Sequence, residues 1–264
     1  MEYVFYILAG VLVYVFMIFP LGLQLISLAR RQKNLPEFQP AITMLTAARN
    51  EARQIAAKIA NTFDSNYPAD KLRIIIMSDG STDGTEDVVN SLKNPRVRLL
   101  AAGASQGKAS AINTMALSAE GDILVISDAD VLIHANAIRE LARHFSDPGV
   151  GAVCGHRSDN NEQLAEAGES TRLYNSYESR TKQAEGKLGR VIGGDGSLYA
   201  LRRSCFRPLP LDVPDDSVNI LRVLEEGKKV VYERRAVSWE KLSGNEPGEF
   251  VRRRRTVARG IRGL

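Results

Sequence analysis

The sequence predicts an α/β protein built on a doubly wound sheet, preceded by an apolar helix and followed by an amphipathic one. Three observations lead there. Strand and helix signals alternate from residue 41 onward, the rhythm of βαβα units. The run Leu72 to Met77 is continuously apolar and Ile-rich, as strands buried on both faces of a parallel sheet are. Three polar clusters, Asn50-Glu51, Asp79 to Asp83 and Asp128 to Asp130, each follow a predicted strand. Ligands of doubly wound sheets sit at the carboxyl ends of the strands, so this coincidence marks one sheet edge as the site.

The elements follow in order. Residues Tyr3 to Ala29 form an apolar run broken only by Gln24 and Ser27, long enough to cross a hydrocarbon layer of ~30 Å. Pro20 is expected to kink it. Arg30, Arg31 and Lys33 follow the run and only Glu2 precedes it, which by the positive-inside rule puts the amino terminus outside and the remainder in the cytosol. A cleaved signal peptide fits poorly, because the run is too long and lacks both a basic start and a small-residue cleavage site. The expected organisation is therefore an anchor with its basic flank over 1–33, a proline-bearing linker over 34–40 and one domain over 41–264.

Within that domain the strands expected are Ala41 to Thr46, Leu72 to Met77, Arg96 to Leu100, Asp122 to Ser127, Gly149 to Gly155, a glycine-rich region Val191 to Leu201, and Lys229 to Glu233. The helices expected are Asn50 to Asn61, Thr85 to Leu92, Gly107 to Ala119, Ala135 to Phe145, Glu162 to Lys187 and Asp216 to Glu226. At the end, Phe250, Val257, Ile261 and Leu264 share one helical face opposite Arg252, Arg255, Arg259 and Arg262, an amphipathic pattern suited to an anionic lipid surface.

Composition excludes several classes. With 264 residues, 44% of them hydrophobic and 25% charged, the chain can bury a sizeable core. The arginine cluster has no interleaved aromatic residues, which argues against a nucleic-acid surface. Cys154 and Cys205 show no metal-ligand spacing and read as buried thiols of a reducing compartment. His134, His144 and His156 show none either.

The chemistry rests on carboxylates. Asp128 and Asp130 can point the same way from the end of a strand, and two such groups can hold a hard divalent cation against a diphosphate. Asp79-Gly80-Ser81-Thr82-Asp83 suits a binding loop, and equally a tight turn with a helix cap. Asn50 fits a helix cap, with Glu51 in the first turn. Lys108 opposes the dipole of its helix unless an anion lies nearby. Asp215-Asp216 opens a helix after Pro214, where aspartates often cap; two adjacent carboxylates can also raise one another's proton affinity, which suits a general base.

Taken together, these spaced motifs resemble the inverting family 2 glycosyltransferases of GT-A fold, which include polysaccharide synthases. The resemblance covers roughly residues 40–262. It implies a GT-A type doubly wound mixed sheet whose Rossmann-like half binds a nucleotide-sugar, with Mg²⁺ or Mn²⁺ on the diphosphate. It implies nucleotide-sugar contacts from Glu51, Asp79, Lys108, Asp128, Asp195 and Arg255, metal ligation by Asp130 with Asp128, and a general base at Asp216 beside Asp215. Two departures stand out. Ser78 replaces the aspartate that usually precedes Asp79, and Arg252 to Thr256 lacks the tryptophan of the Gln-x-x-Arg-Trp motif of processive members.

The function expected is metal-dependent inverting transfer from a nucleotide-sugar, most simply a UDP-sugar. The acceptor expected is a glycan, a lipid-linked saccharide or a lipid phosphate at the membrane, with room for a partner membrane subunit and none for nucleic acid. The alternatives are a nucleotidyltransferase, disfavoured because Thr46 to Arg53 contains no glycine, and a non-catalytic nucleotide- or lipid-binding subunit of a synthase.

Overall fold

In the computed structural model the described residues are 2–30, 35–158, 169–194, 196–211 and 213–240. The apolar run forms α1 (Glu2–Val13), a π-helical turn (Tyr14–Ile18) and α2 (Phe19–Leu28). Pro20 has no N–H to offer the carbonyl of Phe16 four residues back. That carbonyl accepts instead from the Tyr177 hydroxyl at 3.0 Å. Side chains are exposed along almost all of residues 3–19, while Pro20 and Ser27 are buried and Leu23 and Gln24 are half-covered. These four share one helical face, so the two polar breaks in the run are among the residues that protein covers.

The domain then reads β1 (Ile42–Ala48), α3 (Ile55–Phe63), β2 (Leu72–Asp79), α4 (Thr85–Ser91), β3 (Val97–Ala102), α5 (Lys108–Leu117), β4 (Ile123–Ser127), β5 (Val131–Ile133), α6 (Ala137–His144) and β6 (Val150–Arg157). It continues with α7 (Glu169–Leu188), β7 (Leu198–Arg202), α8 (Asp215–Glu225) and β8 (Lys229–Glu240). One sheet of eight strands runs in the order β3-β2-β1-β4-β7-β6-β8-β5. β3, β2, β1 and β4 are mutually parallel; β7 is antiparallel to β4 and β6, and β5 to β8. The sheet is mixed, as expected.

Alternation assigns the core. Met44, Ile74, Ile76 and Val125 pack with Ile55 and Ile59 of α3 and Ile138 and Leu141 of α6. Leu45, Ile75, Met77 and Ile126, one residue out of step, pack with Ile112 and Met115 of α5 and Ile220 and Val223 of α8. Each such side chain stabilises the fold by roughly 1.5–3 kcal/mol when fully buried. Because both faces are covered, the polar chemistry is confined to the strand ends.

The structure alters some expectations. α3 begins at Ile55 rather than Asn50, because Asn50 lies in the left-handed region at φ 59° and Gln54 occupies the cap position. Asn50 is therefore not a helix cap. β8 runs to Glu240, well beyond the expected Glu233, and β5 was not expected at all. The amphipathic segment Glu249 to Leu264 lies outside the described residues. Both cysteines are buried and neither is in a disulfide.

Candidate active site

The first two clusters are latched to each other. The Asn50 side-chain oxygen accepts from the Thr82 N–H at 2.9 Å, and the Asn50 N–H donates to Ser81 Oγ at 3.2 Å. Asp83 accepts from the N–H groups of Ala52 and Thr85, at 3.0 Å each. The Glu51 N–H donates to Thr85 Oγ1 at 2.9 Å, and its carboxylate accepts from the Gln54 amide. Burial pushes the Glu51 carboxyl up, opposed by that bond and helped by the charges of Asp83 and Asp128.

Asp79 turns towards the segment before α5. It accepts from the Gln106 N–H at 2.7 Å, the Ser105 hydroxyl at 2.8 Å and the Gly107 N–H at 2.9 Å. Burial would raise its pKa; these three donors more than offset that and hold it below the usual carboxylate range. Gly80, at φ +68°, allows this approach, because a Cβ there would stand 2.6 Å from the Ser105 nitrogen. Ser78 is fully buried and donates to Glu86 Oε1 at 2.9 Å, so its hydroxyl supports α4.

The Asp79-held loop delivers Lys108. Its ammonium donates to Asp128 Oδ1 at 2.7 Å and to Asp215 Oδ1 at 3.0 Å. Burial would lower the Lys108 pKa, and the two carboxylates more than reverse that, so the lysine stays charged. A freely solvated Lys108 is ruled out. Asp215 also accepts from the Tyr199 hydroxyl at 2.9 Å, and Tyr199 oxygen accepts from the Asn219 amide at 3.0 Å. Asp216, the next residue, lies close to both Gly194 and Gly196. A Cβ at Gly194 would stand 3.3 Å from Asp216 Cβ; one at Gly196 would stand 3.7 Å from its carboxyl and 3.9 Å from Lys108 Nζ. Gly196 therefore lies within ordinary contact distance of both the Asp216 carboxyl and the Lys108 ammonium.

Lys58 is a residue that sequence reasoning passed over. It sits on α3 with no exposed surface. Its ammonium donates to Ser127 Oγ at 2.7 Å and to the Val131 carbonyl at 2.8 Å. Burial pulls its pKa down to about 7, against the raising pull of Asp128 and Asp130. A lone lysine in a helix carries no sequence signal of burial. Tyr199 and Asn219 were missed too: the tyrosine hides inside a strand-like run. Asp195 and Arg255 lie outside the described residues.

The donor set fits a hard cation. Among the described residues no three or more of His, Cys, Asp and Glu converge on one point. Asp128 and Asp130 are both half-buried while Ala129 between them is buried. Two oxygen-donor side chains completed by phosphates are how Mg²⁺-type ions are commonly held. The Lys108 ammonium against Asp128 shows that this edge already attracts positive charge.

Residues 43–207, more than half of the chain, match the family description "Glycosyl transferase family 2". The chain belongs to this family. Relatives of the family 2 chain include the β-monoglucosyldiacylglycerol synthase of Synechocystis sp., 30% identical over 129 residues that make up 47% of the chain and 27% of that protein. The probable glycosyltransferase YdaM of Bacillus subtilis is 26% identical over 231 residues, 79% of the chain and 54% of that protein. The poly-β-1,6-N-acetyl-D-glucosamine synthase of Staphylococcus aureus is 26% identical over 212 residues, 78% of the chain and 51% of that protein. The chain thus spans from about a quarter to about half of these relatives' lengths. Among solved structures, the mannosyltransferase PcManGT of Pyrobaculum calidifontis, in complex with GDP-Man and Mn²⁺, superposes with a TM-score of 0.78 at 24% identity, covering 95% of this chain and 73% of that one. The likeness shows that the family 2 chain has the GT-A fold.

Proposed function

We propose that the protein transfers a sugar, with inversion, from a nucleotide-sugar to an acceptor hydroxyl or phosphate, in cell-surface glycan, glycolipid or polysaccharide synthesis. The observation that carries this reading is Lys108 bridging Asp128 and Asp215 at the carboxyl ends of the strands. One cation shared by the metal turn and the residue beside the base fits a centre where a diphosphate departs and a proton is removed. A UDP-sugar is the donor expected from the sequence. The PcManGT complex contains GDP-Man and a Staphylococcus aureus TarS complex contains UDP-GlcNAc, so both nucleotides belong in the test.

Each residue has a task. Glu51 and the Asp79-organised loop receive the nucleoside. Asp128 and Asp130 would hold Mg²⁺ or Mn²⁺, which when bound neutralises charge on the diphosphate. Asp216 accepts the acceptor proton as the acceptor oxygen bonds to the anomeric carbon and the bond from that carbon to the diphosphate oxygen breaks. Asp215, pinned by Tyr199, fixes the start of α8 and so orients Asp216. Lys108 passes from carboxylates to the diphosphate as charge grows there. Asp195 and Arg255 are assigned to the donor by the family resemblance. The helix Tyr3–Leu28, long and apolar enough to cross a bilayer, would hold this chemistry at a cytosolic membrane face.

The test is nucleoside diphosphate release from a panel of UDP-sugars and GDP-Man, using the full chain in membranes with Mg²⁺ or Mn²⁺ supplied or chelated. Release from one donor, lost on chelation and in Asp130→Ala, is the expected result. Release of pyrophosphate would favour a nucleotidyltransferase. Nucleotide binding without release from any donor would favour a non-catalytic subunit.

A further inference from the structure

A lysine with no exposed surface, lying beneath a pair of aspartates, calls for a reason. Moving an ammonium out of water is costly, and a buried charge is weak evidence of added stability. Stability alone therefore does not explain Lys58. Its two hydrogen bonds do. Ser127 Oγ and the Val131 carbonyl flank the tripeptide Asp128-Ala129-Asp130 on either side. One ammonium thus grips both ends of the turn that carries the two carboxylates.

The grip extends further. Ser127 Oγ, accepting from Lys58, donates to the Ser197 carbonyl at 2.8 Å. Ser197 Oγ meets Ser238 Oγ at 3.1 Å. All four side chains are buried. Ser197 follows Gly196, which lies within ordinary contact distance of Asp216 and Lys108. A continuous buried polar chain therefore runs from α3, under the Asp128–Asp130 turn, to the loop that faces the base.

We infer that Lys58 is a positioning residue: through Ser127 and Val131 it fixes the geometry of the two metal-binding aspartates and their register against the loop facing Asp216. The inference rests on the reading that Asp128 and Asp130 hold the divalent ion. Groups that orient metal ligands from behind commonly change metal affinity or activity by about 10- to 100-fold when removed.

The experiment titrates Mn²⁺ into the full chain in detergent with UDP or GDP present and no sugar donor, following free Mn²⁺ by electron paramagnetic resonance. The proteins compared are wild type, Lys58→Met, Ser127→Ala and the double variant, with a melting temperature for each. The expected result is Lys58→Met still folded, melting modestly lower because the buried Val131 carbonyl loses its donor, while its Mn²⁺ affinity falls about tenfold. Ser127→Ala should move affinity in the same direction by less, and the double variant should be no weaker than Lys58→Met alone, since one network is being cut. Unchanged affinity in Lys58→Met would overturn the inference, as would strictly additive losses. If Lys58→Met fails to fold, Ser127→Ala with wild-type affinity overturns it instead. Wild type that binds no Mn²⁺ with nucleotide would fail the metal reading itself, a result distinct from all of these.

Discussion

Asp79 and Asp83, at the end of β2, accept chiefly from main-chain N–H groups and neighbouring hydroxyls of adjoining loops. Asp128 and Asp215, across the sheet, share a lysine ammonium. Carboxylates of the first kind are tied to the backbone and cannot change partner without unmaking a loop. Those of the second kind share a flexible lysine that an incoming diphosphate can draw away, although Asp215 keeps its Tyr199 partner. On the function proposed, that difference would distinguish carboxylates that shape the loops from those that meet the diphosphate.

The comparison can be broken at its strongest point first. Asp216→Asn should lower kcat by about 10⁴-fold, the upper range for a positioned base, while leaving Mn²⁺–nucleotide binding intact. Near wild-type turnover would remove Asp216 from the centre. Lys108→Met should cost up to about 10³-fold in kcat/KM, the loss typical of a charge-stabilising donor, with little change in melting temperature. A large fall in stability with unaltered kinetics would place Lys108 with the scaffold.

Glu233 offers a control on the other half of the sheet. It is buried, accepts from Arg235 and meets His144 Nε2 at 2.8 Å. Burial would raise its carboxyl; the His144 and Arg235 bonds more than reverse that and hold it at about 2, against 4.5 ordinarily. A folded pKa below the unfolded one adds stability at neutral pH that is lost as pH falls from about 4.5 towards 2. The loss is at most about 3 kcal/mol, at 1.36 kcal/mol per unit. Glu233→Gln should therefore unfold more readily at pH 7, and its stability difference from wild type should shrink through that acid window. A constant difference across the window would discard the account. The smallest effect is reserved for Asp79→Asn, which should destabilise by about 1–2 kcal/mol as buried donors lose their charged acceptor. It should raise the donor KM more than it lowers kcat, and the reverse split would move Asp79 into the reaction centre.

Legibility followed burial. The parallel strands were readable because runs such as Leu72 to Met77 are apolar on both faces. β5 escaped because three residues cannot display a period. The end of β8 escaped because Glu233, Arg234 and Arg235 interrupt its apolar pattern, their charges being matched in part by α6. At the site, the acidic clusters were visible as local motifs, whereas the groups that hold them come from elsewhere in the chain. Lys58 reaches Ser127 across 69 positions and Asn219 reaches Tyr199 across 20, separations that no local reading captures. Ser78 was visible only as a departure from the family's aspartate; that its hydroxyl is committed to Glu86 was not.

The carbonyl that Pro20 leaves open, and that Tyr177 closes, determines how far the catalytic domain can stray. A helix joined to a domain only by a flexible linker acts as a leash, and the active site sweeps a hemisphere above the lipid. Here the clasp at Phe16 and the covered stripe from Pro20 to Ser27 join the helix to the domain by direct contact as well as by the chain. The exposed stretch Tyr3 to Phe19 is about 25 Å long at 1.5 Å per residue, close to the ~30 Å of the hydrocarbon layer. With that stretch in lipid, the domain would lie flush with the bilayer at one height and one heading. Its acceptors would then be chosen by how far they rise out of the membrane, before any side chain touches them.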